Sequence, residues 1–405
     1  MNGDLRLAIV CSHPIQYFSP WFRWLSEHCD IRLKVFFLDN PQLRRGMDVG
    51  FAQPVAWDVP LLENFDHTFV KNRAKDPGSH HYAGLNNPTL WGEIATFSPD
   101  MTLLMCYHYR SILPAMLRGT LPDNTWLRGD SVLAPARAGL RRWLADKIIR
   151  RAFSQLTGAL YVGQKNRDYF MHHGLHSHQL QYSPPAVALK PRSSDDRSRQ
   201  QGRLWRRGLG IPDNHKVVLF VGKLQQIKRP AMLLRAFKNA DVENSSLVFA
   251  GSGEDADGLL AAAAGDHRIH LLGFQNQSAL PEIYAGADLL VLPSVTETWG
   301  LVVNEAFAFG TGALVSDAVG CATDLVAGQG TGTVFASDNL DALTRELKAS
   351  LTDPNRLKQW GRTAQALVNR DFSFRSMSSG LGKALMQSVA AKAPGNVSRA
   401  DAKLS

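Results

Sequence analysis

Two carboxylates, Glu297 and Glu305, are separated by seven residues in the segment PSVTETWGLVVNEAFAFGTGALVSD, which runs from Pro293 to Asp317. Between them Gly300 opens a predicted helix after a strand and a loop. A helix N-terminus presents unpaired backbone N–H groups and a positive dipole end to an anion. A glycine there lets the backbone come close to a phosphate. Glu305 falls about one and a half turns into that helix, too far for the phosphate but placed to accept hydrogen bonds from a ribose diol. Glu297 precedes the helix and can reach sugar hydroxyls, for which a carboxylate is a good acceptor. The bland alternative is a solvated Glu297 and a surface Glu305. The apolar neighbours Val303 and Ala306 weaken it for Glu305.

A second segment, Phe220 to Pro230 (FVGKLQQIKRP), ends a strand at Gly222 and follows it with Lys223 and, five residues later, Lys228. Two cations on one loop after a strand suit a diphosphate, whose charge must be neutralised as a leaving group departs. A third, Ala250 to Glu254 (AGSGE), ends a strand in a glycine-rich turn containing Gly253. Each of these two signals is weak alone.

Other features carry less. His172, His173, His176 and His178 crowd Met171–His178, but no carboxylate or cysteine joins them in sequence, and a solvated loop is favoured over a metal site. Cys11, Cys29, Cys106 and Cys321 are scattered without ligand spacing and read as reduced thiols. The formal net charge is +9, which suits anionic partners: nucleotide diphosphates, nucleic acid or an anionic membrane face. No aromatic-interleaved basic motif or zinc finger supports nucleic acid. The helix predicted across Arg137–Arg151 is rich in arginine. Its apolar stripe (Leu140, Leu144, Ile148, Ala152) is expected to pack on the sheet, with the arginines in water or against an anionic membrane. The N-terminus lacks a basic n-region and an apolar h-region, and no run approaches the ~18 apolar residues of a membrane span. The expected location is the cytoplasm, with peripheral docking on the cytoplasmic face of the membrane.

These residues need a scaffold, and 405 residues suffice for two domains. Short apolar runs alternate with helical patterns, predicting parallel sheets with helices on both faces. Strands are predicted at Arg6–Cys11, Leu33–Leu38, Met101–Cys106, Gly158–Val162, Lys216–Val221, Ser246–Ala250, Ile269–Leu272, Asp288–Leu292 and Thr311–Ser316. The predicted organisation is a Rossmann-like half over residues 1–183, a linker over 184–214 and a second Rossmann-like half over 215–371. A helix over 372–389 crosses back to the first half, and a disordered tail covers 390–405.

Together these segments resemble glycosyltransferase family 4, whose members have the GT-B fold: two Rossmann-like domains facing across a cleft. The resemblance runs through most of the chain and is strongest from Val217 to Val326. Glu297 and Glu305 match the family's paired-glutamate signature, and Gly222, Lys223 and Lys228 match its strand-end glycine and basic pair. The family more often has Arg where Lys223 stands. The resemblance implies a retaining enzyme moving a sugar from a nucleotide diphosphate sugar to a glycan or lipid-linked acceptor, with no cofactor, no metal and no protein nucleophile. Its donor site would comprise Gly222, Lys223, Lys228, Gly253, Glu297, Thr298, Gly300, Leu301 and Glu305. Members often carry a histidine after the fourth strand, near the donor sugar, which His108 matches. The usual glycine-rich turn after the first strand is replaced here by Ser12–Tyr17 (SHPIQY). This segment, with VAWDVPLLENFDH (55–67) and LRGDS (127–131), looks like a bacterial subgroup. His13, Gln16, Tyr17 and Asp130 are accordingly expected on the acceptor or sugar side. The competing readings are a nucleotide-sugar 2-epimerase of the same fold, a silent binding protein and, from charge alone, a nucleic-acid binder.

Overall fold

The computed structural model of the protein describes residues 5–40, 47–48, 53–54, 57–133, 139–191 and 195–392. Its first half runs β1 (Arg6–Cys11), α1 (Ser19–His28), β2 (Arg32–Phe37), a short antiparallel pair β3 (Met47–Asp48) and β4 (Gln53–Pro54), then β5 (His67–Phe69) and α2 (Leu90–Phe97). It continues β6 (Met101–Leu104), α3 (Leu113–Arg118), β7 (Thr125–Gly129), α4 (Leu140–Phe153), β8 (Gly158–Tyr161), α5 (Gln164–His172) and β9 (Leu180–Tyr182). These strands make a seven-stranded parallel sheet in the order β5-β2-β1-β6-β7-β8-β9.

After α6 (Asp195–Gly208), the second half runs β10 (Lys216–Val221), α7 (Pro230–Ala240), β11 (Ser245–Ala250), α8 (Ala256–Ala263), β12 (Ile269–Leu271), α9 (Leu280–Ala285) and β13 (Leu289–Leu292). Then follow α10 (Leu301–Ala308), β14 (Gly312–Ser316), β15 (Gly332–Phe335), α11 (Leu340–Leu351), α12 (Pro354–Asp371) and α13 (Phe374–Lys392). Its six parallel strands lie in the order β12-β11-β10-β13-β14-β15. Parallel strands covered on both faces must be apolar throughout, and Leu7–Val10 and Val217–Phe220 are fully buried. In both sheets the first strand is flanked by its successor on one side and a later strand on the other. This order reversal leaves a crevice beyond the strands' carboxyl ends, the place where open α/β sheets bind ligands.

Residues 184–214, expected as a linker, contain a helix: α6 lies within them, docked on the second half. Its Arg206 guanidinium donates to Asp288 Oδ2 (2.7 Å), Gly286 O (2.6 Å) and His215 O (3.2 Å), and Trp205 packs at the edge of the second core. Residues 340–371 form two successive helices, because Asp353 caps the second by accepting from the amides of Asn355 and Arg356, with Pro354 at its first position. The expected packing of the α4 stripe on the sheet is corrected: of its four members Ala152 alone is buried. Leu140, Trp143, Leu144 and Ile148 are exposed, and the helix is held instead through Ile149, Ala152 and Phe153.

The final helix α13 lies against the first sheet although its sequence follows the second. Met377, Leu381, Ala384 and Leu385 join the core beneath β1 and β6. Trp21 and Trp126 donate their indole N–H groups to Ser378 Oγ (2.9 Å) and Ser388 Oγ (3.1 Å). The helix runs through Ala390–Lys392, inside the tail predicted from residue 390, and residues 393–405 lie outside the described residues, as does Arg137. Among the described residues no helix is long and apolar enough to cross a membrane.

Candidate functional site

The sequence-predicted residues stand at strand carboxyl ends. Ser12–Tyr17 follows β1, His108 follows β6 and Asp130 follows β7; Gly222–Lys228 follows β10, Gly253 follows β11 and Glu297 follows β13. Lys228 closes a single 3-10 turn, Gln226–Lys228, and its ammonium forms an ion pair with Glu297 Oε2. The backbone reinforces this pairing. Val295 N donates to Ile227 O (3.0 Å), and Gly320 N donates to Glu297 O (2.9 Å). Burial, with Lys223 as a neighbouring like charge, pulls Lys228 down to about 8.

Gly300 caps α10 with φ +99°, a conformation that a side chain disfavours. A Cβ there would also meet Leu292 Cδ2 and Val319 Cγ1 at 3.1 Å. The turn therefore opens α10 tightly beside Glu297, whose Cγ would lie 3.5 Å from such a Cβ. Thr298 donates its hydroxyl to Asp130 Oδ2 (2.9 Å), which joins the two halves at this point.

Glu305 is 1% exposed and accepts from the Tyr284 hydroxyl at 2.6 Å. Burial pushes its carboxyl up to about 7, against the pull of that hydrogen bond. The Tyr17 phenol, raised by burial and by the charge of Glu305, is hydrogen-bonded by the Gln16 side chain. The structure therefore groups Gln16 and Tyr17 with the buried glutamate. His13 Nδ1 lies 3.1 Å from Ser12 Oγ. His108 is exposed and its ring sits against Tyr109, with centroids 4.0 Å apart; partial burial holds its pKa below the usual value.

Gly251, beside Gly253, shows how tightly the loops after β10 and β11 meet. A Cβ on it would lie 1.8 Å from Gly222 O, a contact that only backbone movement relieves. Gly251→Ala is expected to destabilise the protein by about 1–3 kcal/mol, read as a lower unfolding midpoint. An unchanged midpoint would show that the two loops are not held together as described.

Sequence reasoning missed Tyr284, whose place in an apolar helix looks like plain core. It also missed the contacts between halves made by Lys165 and Asp324. Lys165 Nζ donates to Val319 O (2.9 Å), and the Gln164 amide donates to Asp324 Oδ1 (3.1 Å). Across the cleft, the Ser278 hydroxyl and amide donate to the Asp58 carboxylate, and Trp57 lies beside Phe274. The histidine cluster needs a correction too, because a carboxylate does join it. Asp146 Oδ1 lies 3.4 Å from His173 Nε2, and Oδ2 lies 3.9 Å from His172 Nε2. Packing of α4 on α5 brings them together. The end of α5, a helix returning from β8, lies at the edge of the sheet opposite the cleft.

Comparison with solved structures defines the fold. A structure of Anabaena Alr3699/HepE in complex with UDP superposes with a TM-score of 0.70 over 95% of this chain and 100% of that one, at 14% identity. WaaG, a glycosyltransferase involved in lipopolysaccharide biosynthesis, superposes with a TM-score of 0.66 over 94% of this chain and 99% of that one, at 17% identity. The fold is GT-B. The profile of the family "Glycosyl transferases group 1" matches residues 202–367. An uncharacterized glycosyltransferase of Methanocaldococcus jannaschii is 37% identical over 37% of this chain and 39% of its own length. A D-inositol 3-phosphate glycosyltransferase of Salinispora tropica is 35% identical over 45% and 40%. The aligned region spans less than half the length of these curated relatives.

Proposed function

We propose that the protein is a retaining glycosyltransferase of family 4, moving a sugar from a nucleoside diphosphate sugar to a glycan or lipid-linked acceptor in the synthesis of bacterial surface glycans at the cytoplasmic face. The observation that carries this reading is the clustering of Lys223, Lys228 and the α10 N-terminus around Glu297, with the buried Glu305 behind them. Lys228 and Lys223 hold the diphosphate, and the amides at Gly300 and Leu301 add dipole to the same charge. Glu305 accepts from the ribose diol and Glu297 from the transferred sugar. On the opposite wall, His108 and Asp130 face sugar and acceptor. The sugar's anomeric carbon leaves the phosphate oxygen and bonds to the acceptor oxygen on the same face. The acceptor's proton passes to the departing phosphate, so no protein nucleophile is needed. Support comes also from HepE, solved in complex with UDP-glucose.

The test is a thermal-shift series with uridine, guanosine and adenosine diphosphates and their sugars. One base is expected to raise the midpoint by several degrees, because saturation at about 100 times Kd adds about 2.7 kcal/mol. No shift with any of them would overturn the reading. Because two lysines and helix amides supply the positive field, transfer is expected to persist in EDTA. Complete loss, restored by Mg²⁺ or Mn²⁺, would assign leaving-group stabilisation to a metal instead.

A further inference from the structure

We infer that the outward face of α4 is a docking surface for an anionic lipid bilayer. The face consists of Leu140, Trp143, Leu144, Lys147, Ile148 and Arg151, which a helix turning about 100° per residue gathers on one side. Leu140 is 72% exposed, Trp143 51%, Leu144 46% and Ile148 45%. Four large apolar side chains in water within three turns of one helix need an explanation, since single exposed apolar residues do not. The opposite side of α4 is already occupied. Ile149, Ala152 and Phe153 pack on the first core, and Asp146 meets His173. Among the described residues, none covers the outer side.

The charges select the occupant. Lys147 lies over the Trp143 ring, 3.7 Å from its centroid, and Arg151 sits one turn further on. Arg141 and Arg150 are exposed at the borders of the face. A bilayer surface with anionic headgroups satisfies both halves of this pattern. Apolar side chains enter the acyl boundary, an indole suits the interface, and long basic side chains reach up to the headgroups. A nucleic acid would use the cations but gain nothing from three aliphatic side chains. A second copy of the chain, packed about a two-fold axis, would bring Lys147 and Arg151 against their own equivalents. The helix also follows β7 and Asp130, so seating α4 on a bilayer would hold the cleft close to the membrane surface. This inference does not depend on the transferase reading.

The experiment is co-sedimentation of the full chain with vesicles of phosphatidylcholine alone, or with about one third phosphatidylglycerol. The protein is expected to pellet with the anionic vesicles, weakly or not at all with neutral ones, and to be released by salt on the order of 0.5 M. Two double variants separate the components: Leu144→Ser with Ile148→Ser, and Lys147→Glu with Arg151→Glu. Each should weaken anionic binding by at least ~10-fold. Their unfolding midpoints and nucleoside diphosphate thermal shifts should stay as in the parent, because all four side chains are exposed. The inference is overturned if the parent fails to pellet with anionic vesicles, or if either variant pellets as the parent does. It is overturned in favour of a second copy if the parent sediments as a dimer that the serine variant dissolves. It is overturned in favour of nucleic acid if the serine variant is unaffected while the glutamate variant loses a salt-sensitive RNA complex.

Discussion

Lys228→Ala is expected to lower transfer, as kcat/KM, by a factor of about a hundred to a thousand, the usual loss when one preorganised charge at a developing anion is removed. The lysine is mostly buried, paired with Glu297, and reached by the charge of Lys223. Removing it deletes half of the cationic pair for the leaving diphosphate and leaves Glu297 without its counter-charge beside an incoming anion. Binding of the bare nucleoside diphosphate should weaken as well, by the about 1.5–3 kcal/mol of a charged hydrogen bond. Lys228→Arg should recover part of the binding, since it restores charge, but less of the rate, since a planar fork replaces a compact ammonium. Calorimetry with nucleoside diphosphate, together with steady-state transfer, checks both. A change of less than threefold in both quantities for Lys228→Ala would remove the lysine from the site.

The sequence was most legible where local pattern and tertiary role coincide. β1, β10 and β13 are continuous apolar runs because parallel strands are covered on both faces. The loops that follow them line the carboxyl edge, which is the open one. Glu297, Gly300 and Glu305 could be placed from spacing because a strand, a loop and a helix start fix their relative positions within one segment. Legibility failed where a long-range contact overrides local composition. α6 carries five arginines over residues 195–208 and few apolar residues, yet it is a helix, because Arg206 finds Asp288 and backbone carbonyls across the fold. β7 was missed because it contains Arg128, a charge that breaks the apolar run. The buried guanidinium is held by Ser183 and lies over the rings of Phe18 and Trp21.

The same limit applied to α4 and to the histidine segment. A stripe of leucine, isoleucine and alanine at spacings of four predicts which side chains share a face, but not what covers that face. Only the packing shows that Ile149 and Phe153 point inward and Leu144 outward. Asp146 and His173 are far apart in sequence and meet only because two helices pack together. Tyr284 was illegible for the converse reason. It is fully buried, as its pattern implies, and the one atom that matters is its hydroxyl, aimed at Glu305.

Glu305→Gln is expected to separate stability from function in opposite directions. The folded protein keeps the Glu305 proton up to a pH of about 7, whereas the group's ordinary value is 4.5. Between these values the unfolded chain has released a proton that the folded chain still holds. The stability contributed by the neutral acid is therefore complete below 4.5 and is lost as pH rises toward 7. The shift of about two and a half units corresponds to about 3 kcal/mol. Glutamine keeps an acceptor for the Tyr284 hydroxyl and never ionises. The ligand-free variant should match the parent near pH 4.5 and exceed it above pH 7, by up to that amount. Donor binding should move the other way. The ionised carboxylate is the better acceptor for a ribose diol, so parent affinity should rise as pH climbs through 7. The variant should bind at least ~10-fold more weakly at pH 8 and lack that rise. Denaturant melts and donor titrations at pH 5, 6, 7 and 8 would read both effects. A variant no more stable than the parent at pH 8, binding donor equally well at every pH, would show that Glu305 is a spectator in the core.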